Sequence, residues 1–331
     1  MTPFPSAEPE RRAGTDPLSH LGRRLLVPVL LAVAVSLGLA LYADARELAG
    51  ALGSFRWSVL VPVLGLTLLN YGLRFVRWHL YLRGTGSRLP WSESFAVFLA
   101  GLPLAITPGR AGELGKGWLV RELGGGRARN AVAVVLAERL VDALGFCVLI
   151  AGIGLVTPVA RWVQVFAAVL AGATLAFLAA PIATRHMAAA CRRVPGLRRL
   201  ADLFEEVLHT VRAVLAPRAL AGGLAVALVA WSAEAFGCAL VVRSYAPQAS
   251  WSAAALVFCV SSLLGGLSML PGGLVVTEGA LTVLLDGMGV GRAVAASATL
   301  ITRASTLWFG VALGLLAIPW LWHRLRGNPV G

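Results

Sequence analysis

Charged residues are scarce in this sequence. They make up 14% of its 331 residues, whereas soluble domains carry about 25%. Hydrophobic residues make up 58%, and the mean hydropathy is +0.78. A chain this apolar has too few polar side chains to cover a water-exposed surface, which excludes an ordinary soluble domain. The composition therefore predicts an all-α polytopic membrane protein.

Lysine, cysteine and histidine are also scarce. Lys116 is the only lysine among 29 basic residues, so the net charge of +13 comes almost wholly from arginine. We attribute this excess to arginine-rich cytoplasmic loops rather than to nucleic-acid binding. The four cysteines show no CxxC spacing, and the five histidines form no HExxH or His/Cys ligand pattern. We therefore expect no disulfide framework, no metal site and no cofactor.

Long apolar runs predict the spanning helices. Six runs of roughly 20 residues are long enough to cross a bilayer, at about 24–43, 57–80, 130–156, 162–183, 218–243 and 293–320. Two further runs, at about 92–107 and 252–270, are marginal in length and end at a Pro-Gly pair. We interpret them as re-entrant or broken helices, followed by short helices at about 112–123 and 274–288.

The arginine distribution predicts the orientation of these helices. Most arginines lie before the first run, after the second, around the first break, in the central loop and at the C-terminus. The positive-inside rule then places both termini in the cytoplasm. We expect a disordered cytoplasmic tail at 1–22, a transmembrane domain at 23–323 and a C-terminal tail at 324–331. The first run lacks a cleavage site and is interpreted as a retained helix.

The central loop contains a predicted amphipathic helix at about 196–216. Apolar residues repeat there at helical spacing opposite charged residues, namely Leu197, Leu200, Leu203, Phe204, Val207, Val211 and Val214. Such a helix either lies on the cytoplasmic membrane surface, where basic residues meet anionic headgroups, or docks on the protein's own loops. The sequence leaves both alternatives open.

Two segments of the chain repeat one pattern. WSESFAVFLAGLPLAITPGRAGE begins at Trp91, and WSAAALVFCVSSLLGGLSMLPGGLVVTEG begins at Trp251. Both open with Trp-Ser, reach Pro-Gly and place a glutamate soon after. The next span carries Arg139 in the first case and Arg303 in the second, 31 and 32 positions after the proline. We infer a duplication with units at about 57–156 and 218–320 that are inverted relative to each other, as in many transporters.

Ionisable residues within the apolar segments are the candidates for a functional site. A charge at the bilayer centre costs about 2.5–3.5 kcal/mol, so such residues need a partner or a function. Glu138 and Asp142 share one helix face, where Arg139, Arg110 or Lys116 would separate their charges. Either the charges form a salt-bridge network that holds the two halves together, or they line a polar cavity for a charged headgroup. The candidates are Glu113, Glu138, Arg139, Asp142, Glu234, Glu278 and Arg303.

The Pro-Gly breaks add chemistry of their own. The short helices after them point N-terminal N–H groups at the break, which favours an anion. Arg110 and Lys116 reinforce that field in the first unit, and together they suit a phosphate. Glu113 and Glu278 instead suit an amine or a sugar hydroxyl. The breaks therefore predict a polar site that a lipid headgroup enters.

Three further sequence features could be functional but also have structural explanations. Asn70, Arg74 and Arg77 share a face near the end of the second span, where we favour arginines that snorkel to the interface over a phosphate hook. Glu234, next to Trp231, is either buried and protonated or a proton-coupling residue. GELGKG resembles a P-loop, but it lacks the first glycine and the Ser or Thr and follows a membrane segment. We therefore reject ATP binding.

The chain resembles the flippase-like membrane-domain family, which includes the transmembrane region of lysylphosphatidylglycerol synthases. The similar stretches are PGRAGELGK, ERLVD, LPGGLVVTEGALT and ITRASTLWFG, within about residues 22–322. By motif match, the resemblance assigns to the site Pro108, Gly109, Arg110, Gly112, Glu113, Glu138, Arg139, Asp142, Pro271, Gly272, Gly273, Glu278, Gly279 and Arg303. The second break has Val275 where the family often has a glycine. No soluble aminoacyl-transferase domain is expected, so this chain alone is not expected to synthesise a lysyl-lipid.

The resemblance implies a bacterial inner-membrane protein that moves lipids or lipid-linked headgroups between leaflets. The leading hypothesis is therefore a flippase without ATP hydrolysis, which is not an enzyme. Its partners would be membrane lipids, whether an anionic phospholipid, an aminoacyl-lipid or a lipid-linked glycan. One alternative is an intramembrane lipid-pyrophosphate phosphatase, although PGRAGE has no serine or histidine beside the break. The other is a non-catalytic membrane partner of a separately encoded lipid-modifying enzyme.

Overall fold

The computed structural model describes most of the chain, namely residues 30, 33–35, 37–157, 161–180, 192–193 and 198–327. Within these ranges its description leaves out the side chains of residues 108–110, 199–200 and 326–327. The predicted tail at 1–22 and the last four residues of the predicted tail at 324–331 lie outside the described residues. So does the start of the first predicted helix.

The described part of the chain is built from α-helices, which confirms the predicted all-α polytopic fold. The helices are α1 (Ala45–Ser54), α2 (Leu60–Gly84), α3 (Trp91–Leu104), α4 (Gly115–Glu122), α5 (Ala128–Ile153), α6 (Arg161–Ala179), α7 (Arg198–Val214), α8 (Pro217–Tyr245), α9 (Trp251–Leu267), α10 (Val276–Leu285), α11 (Arg292–Arg303) and α12 (Phe309–Gly327). Turns of 3-10 helix at Pro108–Leu114 and Pro271–Gly273 precede α4 and α10. A π-helical turn at Ala304–Trp308 joins α11 to α12.

Among the described residues, five helical stretches are long and apolar enough to cross a membrane. They are Trp57–Gly84, Arg161–Ala179, Pro217–Tyr245, Pro271–Val290 and Arg292–Leu325. Helix α5 is also long enough, with 26 residues, but charged residues interrupt its apolar sequence. These helices agree with the five spans predicted from residue 57 onward. Pro271–Val290 combines the second break with the short helix predicted at 274–288.

Each Pro-Gly pair folds the chain into a helical hairpin. Helices α3 and α4 pack against each other around the first break, and α9 and α10 do so around the second. Pro108 and Pro271 begin the two 3-10 turns, where proline removes no hydrogen bond because first-turn N–H groups have no partner within the helix. Gly272 and Gly273 have φ values of +60° and +69°, which glycine adopts without steric strain.

Val275 completes the second turn in a strained conformation. Its φ is +75° and its ψ is −57°, close to the γ-turn values that are rare for any residue. A β-branched side chain makes this region still less favourable. Val275 therefore does not prevent the sharp turn before α10, but it makes the turn costlier than a glycine at this position would.

The two predicted repeat units pack reciprocally. Helix α3 of the first unit packs on α12 of the second, whereas α9 of the second unit packs on α5 of the first. Helices α2 and α8, which begin the units, pack on each other, and the two breaks are in contact. Close approach depends on small residues, since a Cβ at Gly310 or Gly314 would collide with Tyr71 or Pro103. The unit boundaries and their inversion remain predictions.

The predicted amphipathic helix docks on the protein. The apolar residues Val207, Leu208 and Val211 of α7 are buried, and α7 packs on α5. Arg129 at the start of α5 donates a hydrogen bond to Glu206 of α7 at 2.5 Å. Leu203 and Phe204 of the same apolar face are exposed. The helix therefore docks on α5 through one part of its apolar face, and contact of the exposed part with the membrane surface stays a prediction. The sequence reading missed the short helix α1, which packs on α11.

Candidate functional site

A cavity of about 480 Å³ lies where the two hairpins meet. Its polar wall contains ionisable side chains from both halves, namely Arg74, Glu113, Lys116, Arg139, Asp142, Glu234 and Arg303. Gly101 of α3 and Gly272 of the second break also line it. The breaks that the sequence predicted as separate features therefore contribute to a single cavity.

Most of the remaining cavity wall is apolar. It is formed mainly by α5, α6 and α9, through Leu140, Phe146, Leu170, Phe258, Leu263 and Leu267. Helix α6 packs on α5, and only Ala167 and Thr174 among its residues are buried. Leu267 and Met269, at the end of α9, are 44% and 69% exposed. The cavity thus joins a charged region beside the breaks to an apolar wall near the outer surface of the domain.

In the first half, α5 provides two carboxylates and one arginine to a buried ion-pair cluster. Arg77 Nη2 of α2 lies 2.6 Å from Asp142 Oδ1, and Arg77 Nε lies 3.8 Å from Glu138 Oε1. Arg139 Nη2 contacts Glu113 Oε2 at 2.8 Å, and its Nη1 lies 3.6 Å from Asp142 Oδ2. The predicted pairing of Arg139 with Asp142 three residues later is confirmed. Arginines therefore separate the carboxylates, as burial of like charges requires.

The second half contains an equivalent pair. Arg303 Nε donates to Glu278 Oε1 at 2.5 Å, and Arg303 Nη2 donates to the carbonyl of Gly272 at 3.0 Å. In both units, then, the arginine of the span that follows the break binds the glutamate of the short helical segment. Arg303 also satisfies the backbone carbonyl of Gly272, which has no hydrogen-bond partner within a helix because the chain is broken there.

Neutral donors connect the two halves. Asn70 Nδ2 donates to the carbonyl of Ala230 at 2.9 Å, and Tyr71 Oη donates to the carbonyl of Thr306 at 2.5 Å. Trp231 Nε1 donates to Asp142 Oδ1 at 3.0 Å. The three pairs centred on Arg77, Arg139 and Arg303, by contrast, each join helices of one half. They stabilise each half internally instead of holding the halves together.

Lys116 and Arg74 are the lining cations without a carboxylate within 4 Å among the described side chains. Lys116 is 2% exposed, and its Nζ lies 4.7 Å and 5.2 Å from the ring centres of Trp78 and Phe98. Burial of an ammonium ion costs several kcal/mol, whereas cation–π contacts return about 2 kcal/mol when desolvated. Glu113 and Glu138 also attract Lys116 from beyond 4 Å. An anion in the cavity could approach the ammonium group more closely than these carboxylates do.

The snorkelling interpretation of Arg74 and Arg77 is wrong. Both side chains are buried, at 9% and 2% exposure, and Asn70 on the same face is fully buried. Helix α2 continues to Gly84, four residues past the predicted end of the span, so these arginines lie deeper than expected. Carboxylates of α5 reach Arg77, and Trp231 of α8 packs against Arg74, with 5.0 Å from Cζ to the ring centre.

Several predicted site residues lie near the cavity without lining it. Glu138 is buried behind it, and Glu278 supports Arg303. Gly112 donates its N–H to Thr107 Oγ1 at 2.6 Å and has no room for a Cβ beside the carbonyl of Leu104. A Cβ at Gly279 would have no neighbour within 4 Å, so no close packing requires a glycine there. The predicted role of Arg110 cannot be followed, because its side chain lies outside the described residues.

Sequence reasoning missed part of the cavity wall. Tyr71, Trp231 and Thr306 place a phenol, an indole and a hydroxyl beside the charges. Trp231 was noted only as a neighbour of Glu234. No sequence pattern identifies such residues, because their roles depend on how α2, α5 and α8 pack. Among the described residues, no group of three or more His, Cys, Asp or Glu side chains is placed to hold a metal ion.

Comparison with known protein families shows the family of this chain. The sequence profile described as lysylphosphatidylglycerol synthase TM region matches residues 29–314. The chain belongs to this family. The matched residues include both hairpins and every residue that lines the cavity. The chain is therefore a multi-pass membrane protein of the lysylphosphatidylglycerol synthase transmembrane-region family.

Two similar proteins come from one archaeon, and both are described as membrane proteins. A UPF0104 membrane protein of Methanothermobacter thermautotrophicus is 24% identical over 330 residues, which covers 92% of this chain and 96% of the relative. A second UPF0104 membrane protein of this organism is 33% identical over 89 residues, or 27% of each chain. The first alignment spans nearly the whole of both proteins, so the similarity is not limited to one hairpin.

Proposed function

We propose that this protein moves a lipid or a lipid-linked headgroup between the leaflets of a membrane, without hydrolysing ATP. The observation that carries the proposal is the cavity at the meeting point of the two Pro-Gly breaks, where charged and apolar walls are continuous. A lipid has the same division, with a polar headgroup and apolar chains. The family name, which refers to a lipid synthase, supports a lipid-related role.

In the proposed mechanism, the headgroup occupies the charged part of the cavity while its chains lie along the apolar wall of α5, α6 and α9. The headgroup then exchanges water for fixed charges and donors, which lowers the cost of crossing the hydrocarbon layer. The reciprocal packing of the hairpins would let the halves rock against each other, so that the cavity opens first to one leaflet and then to the other. We propose a bacterial inner-membrane location with both termini in the cytoplasm.

The two ion pairs beside the breaks give the first test. In one variant, Glu113→Gln and Arg139→Met are combined; in the other, Glu278→Gln and Arg303→Met are combined. Removal of both partners of a pair leaves neither of them buried and unpaired, and Asp142 keeps its contact with Arg77, so we expect each double variant to fold. Because the cavity loses a cation, we expect lipid translocation to fall at least tenfold. The measurement is leaflet exchange of a panel of fluorescent lipids in proteoliposomes, with dithionite quenching of the outer leaflet.

The exposed pair of Arg129 and Glu206 provides the matched control, since it joins α5 to α7 away from the cavity. Arg129→Met combined with Glu206→Gln should translocate lipid like the wild type. Normal translocation in folded variants of both cavity pairs would contradict the proposal. Phosphate release from a lipid pyrophosphate by the purified protein would favour the enzyme alternative. Co-purification with a lipid-modifying enzyme, without translocation of any lipid, would favour the partner alternative.

A further inference from the structure

We propose that Lys116 and Arg74 form the anion site of the cavity, and that this site selects headgroups with a net negative charge on a phosphate ester. This inference rests on the proposed function and narrows its substrate class. It separates anionic phospholipids from aminoacylated ones, in which an added ammonium group cancels the phosphate charge.

The carboxylates that line the cavity are already engaged. Glu113 accepts from Arg139 at 2.8 Å, and Asp142 accepts from Arg77 at 2.6 Å and from Trp231 at 3.0 Å. Glu234, which is 5% exposed, also has an interaction partner. Both hydrogen bonds to Asp142 fall on Oδ1, and its Oδ2 lies 3.6 Å from Arg139 Nη1 without a hydrogen-bond partner. An ammonium group that entered the cavity would therefore meet carboxylates whose charge arginines or other partners already balance.

Two cations that line the cavity are not engaged in this way. No carboxylate among the described residues lies within 4 Å of Lys116 or Arg74, although both side chains are at least nine-tenths buried. Arg74 Nε has no hydrogen-bond partner, and its Nη1 reaches Asn70 Oδ1 only at 3.5 Å. Buried donors in this state favour an anionic ligand.

The fold holds both cations against aromatic rings. Lys116 lies over Trp78 and Phe98, and Arg74 lies over Trp231. The side chain of Lys116 also passes over Gly101 of α3, where a Cβ would collide with Cε of Lys116. The glycine thus makes the space that lets Lys116 face the cavity. A guanidinium and an ammonium group placed in this way match the several acceptor oxygens of a phosphate ester.

The experiment measures binding by the full-length protein in a neutral detergent. The ligands are phosphatidylglycerol, an aminoacyl ester of phosphatidylglycerol, and glycerol 3-phosphate as the phosphate without a lipid. We expect phosphatidylglycerol to bind at least tenfold more tightly than its aminoacyl ester. Lys116→Met and Arg74→Gln should each weaken phosphatidylglycerol binding about tenfold, the effect of losing one charged hydrogen bond.

Two further variants complete the test. Gly101→Ala keeps the charge of Lys116 but displaces its side chain, so we expect it to weaken binding even where Lys116→Met folds poorly. Arg121→Gln removes a cation from the same short helix α4, but this side chain is 68% exposed, so its affinity should equal that of the wild type. Thermal unfolding of each variant separates lost binding from lost structure.

Each outcome has a defined meaning. Competition by glycerol 3-phosphate that weakens in the same variants would show that the phosphate itself is recognised; competition that is equal in wild type and variants would overturn the proposal. Tighter binding of the aminoacyl ester would also overturn it. If lipids are translocated without a preference for anionic headgroups, this inference fails and the proposed function stands. If phosphatidylglycerol binds as expected but is not translocated, the proposed function fails instead.

Discussion

Single residues determine how this domain tolerates charge among its apolar helices. Arg139 and Arg303 each bind the glutamate of their own unit, at 2.8 Å and 2.5 Å. Burial of a paired ion costs much less free energy than burial of an isolated one, so these two pairs are compatible with burial. Lys116, in contrast, has no carboxylate within 4 Å among the described residues. The sequence predicted Arg139 and Asp142 as a pair because they are three residues apart on one helix. It did not predict Arg77 as a partner, since that contact joins α2 to α5.

Val275 allows a test at the residue scale. A positive φ costs a non-glycine residue about 1–2 kcal/mol, and glycine loses about 0.5–1 kcal/mol through its greater freedom in the unfolded chain. Because Val275 is 45% exposed, little packing is lost on its replacement. We therefore expect Val275→Gly to leave the free energy of unfolding unchanged or to raise it by up to about 1.5 kcal/mol. Thermal unfolding in detergent measures this difference.

Val283 provides the matched control for that substitution. It lies within α10, is 58% exposed and has ordinary helical geometry. Val283→Gly should therefore lower the free energy of unfolding by about 0.5 kcal/mol. Equal destabilisation by the two substitutions would show that the turn at Val275 is not strained.

At the scale of elements, the Pro-Gly pairs made the hairpins predictable. A proline and two or more glycines interrupt an apolar run, and the structure turns the chain at each of these points. Contacts between elements were not predictable in the same way. The docking of α7 on α5 was one of two open alternatives, and the ten-residue helix α1 was missed. Arg77 was misinterpreted because α2 runs four residues beyond the apolar segment.

Helix α6 carries a prediction at the element scale. Thr174 and Leu170 of α6 line the apolar part of the cavity, whereas Val169 is 64% exposed on the same helix. Thr174→Trp should fill the space proposed for the lipid chains and reduce translocation at least tenfold. Binding of glycerol 3-phosphate should be unchanged, because the charged region is left intact.

Val169→Trp places the same bulk on the outer side of α6. We expect this control to translocate lipid at the wild-type rate, as measured by dithionite quenching in proteoliposomes. Equal rates for the two tryptophan variants would mean that the chains do not occupy the wall beside α6.

At the scale of the whole molecule, the two halves depend on each other for the cavity. Helix α3 packs on α12 and α9 packs on α5, so each hairpin is supported by the other unit. The repeated Trp-Ser, Pro-Gly and glutamate pattern predicted two similar units, and the cavity receives charges from both of them. No local sequence pattern predicts which residues of the two units contact each other. Small residues on α5 and α8 permit that contact, and a Cβ at Gly145 would lie 3.3 Å from Ala227 Cβ.

This contact allows the most direct test of the proposal that the halves move around a shared lipid site. The four native cysteines are first replaced by alanine, and Gly145→Cys is then combined with Ala227→Cys. Their Cβ atoms would lie 3.3 Å apart, so the helices need to separate by only a few tenths of an ångström to reach the range of about 3.5–4.5 Å found in disulfides. Leaflet exchange of phosphatidylglycerol is measured in proteoliposomes before oxidation, after oxidation and after reduction. Each single-cysteine variant is the control. We predict that the disulfide stops translocation, that reduction restores it, and that oxidation leaves the single variants unaffected. Translocation at the wild-type rate by fully crosslinked protein would contradict the account.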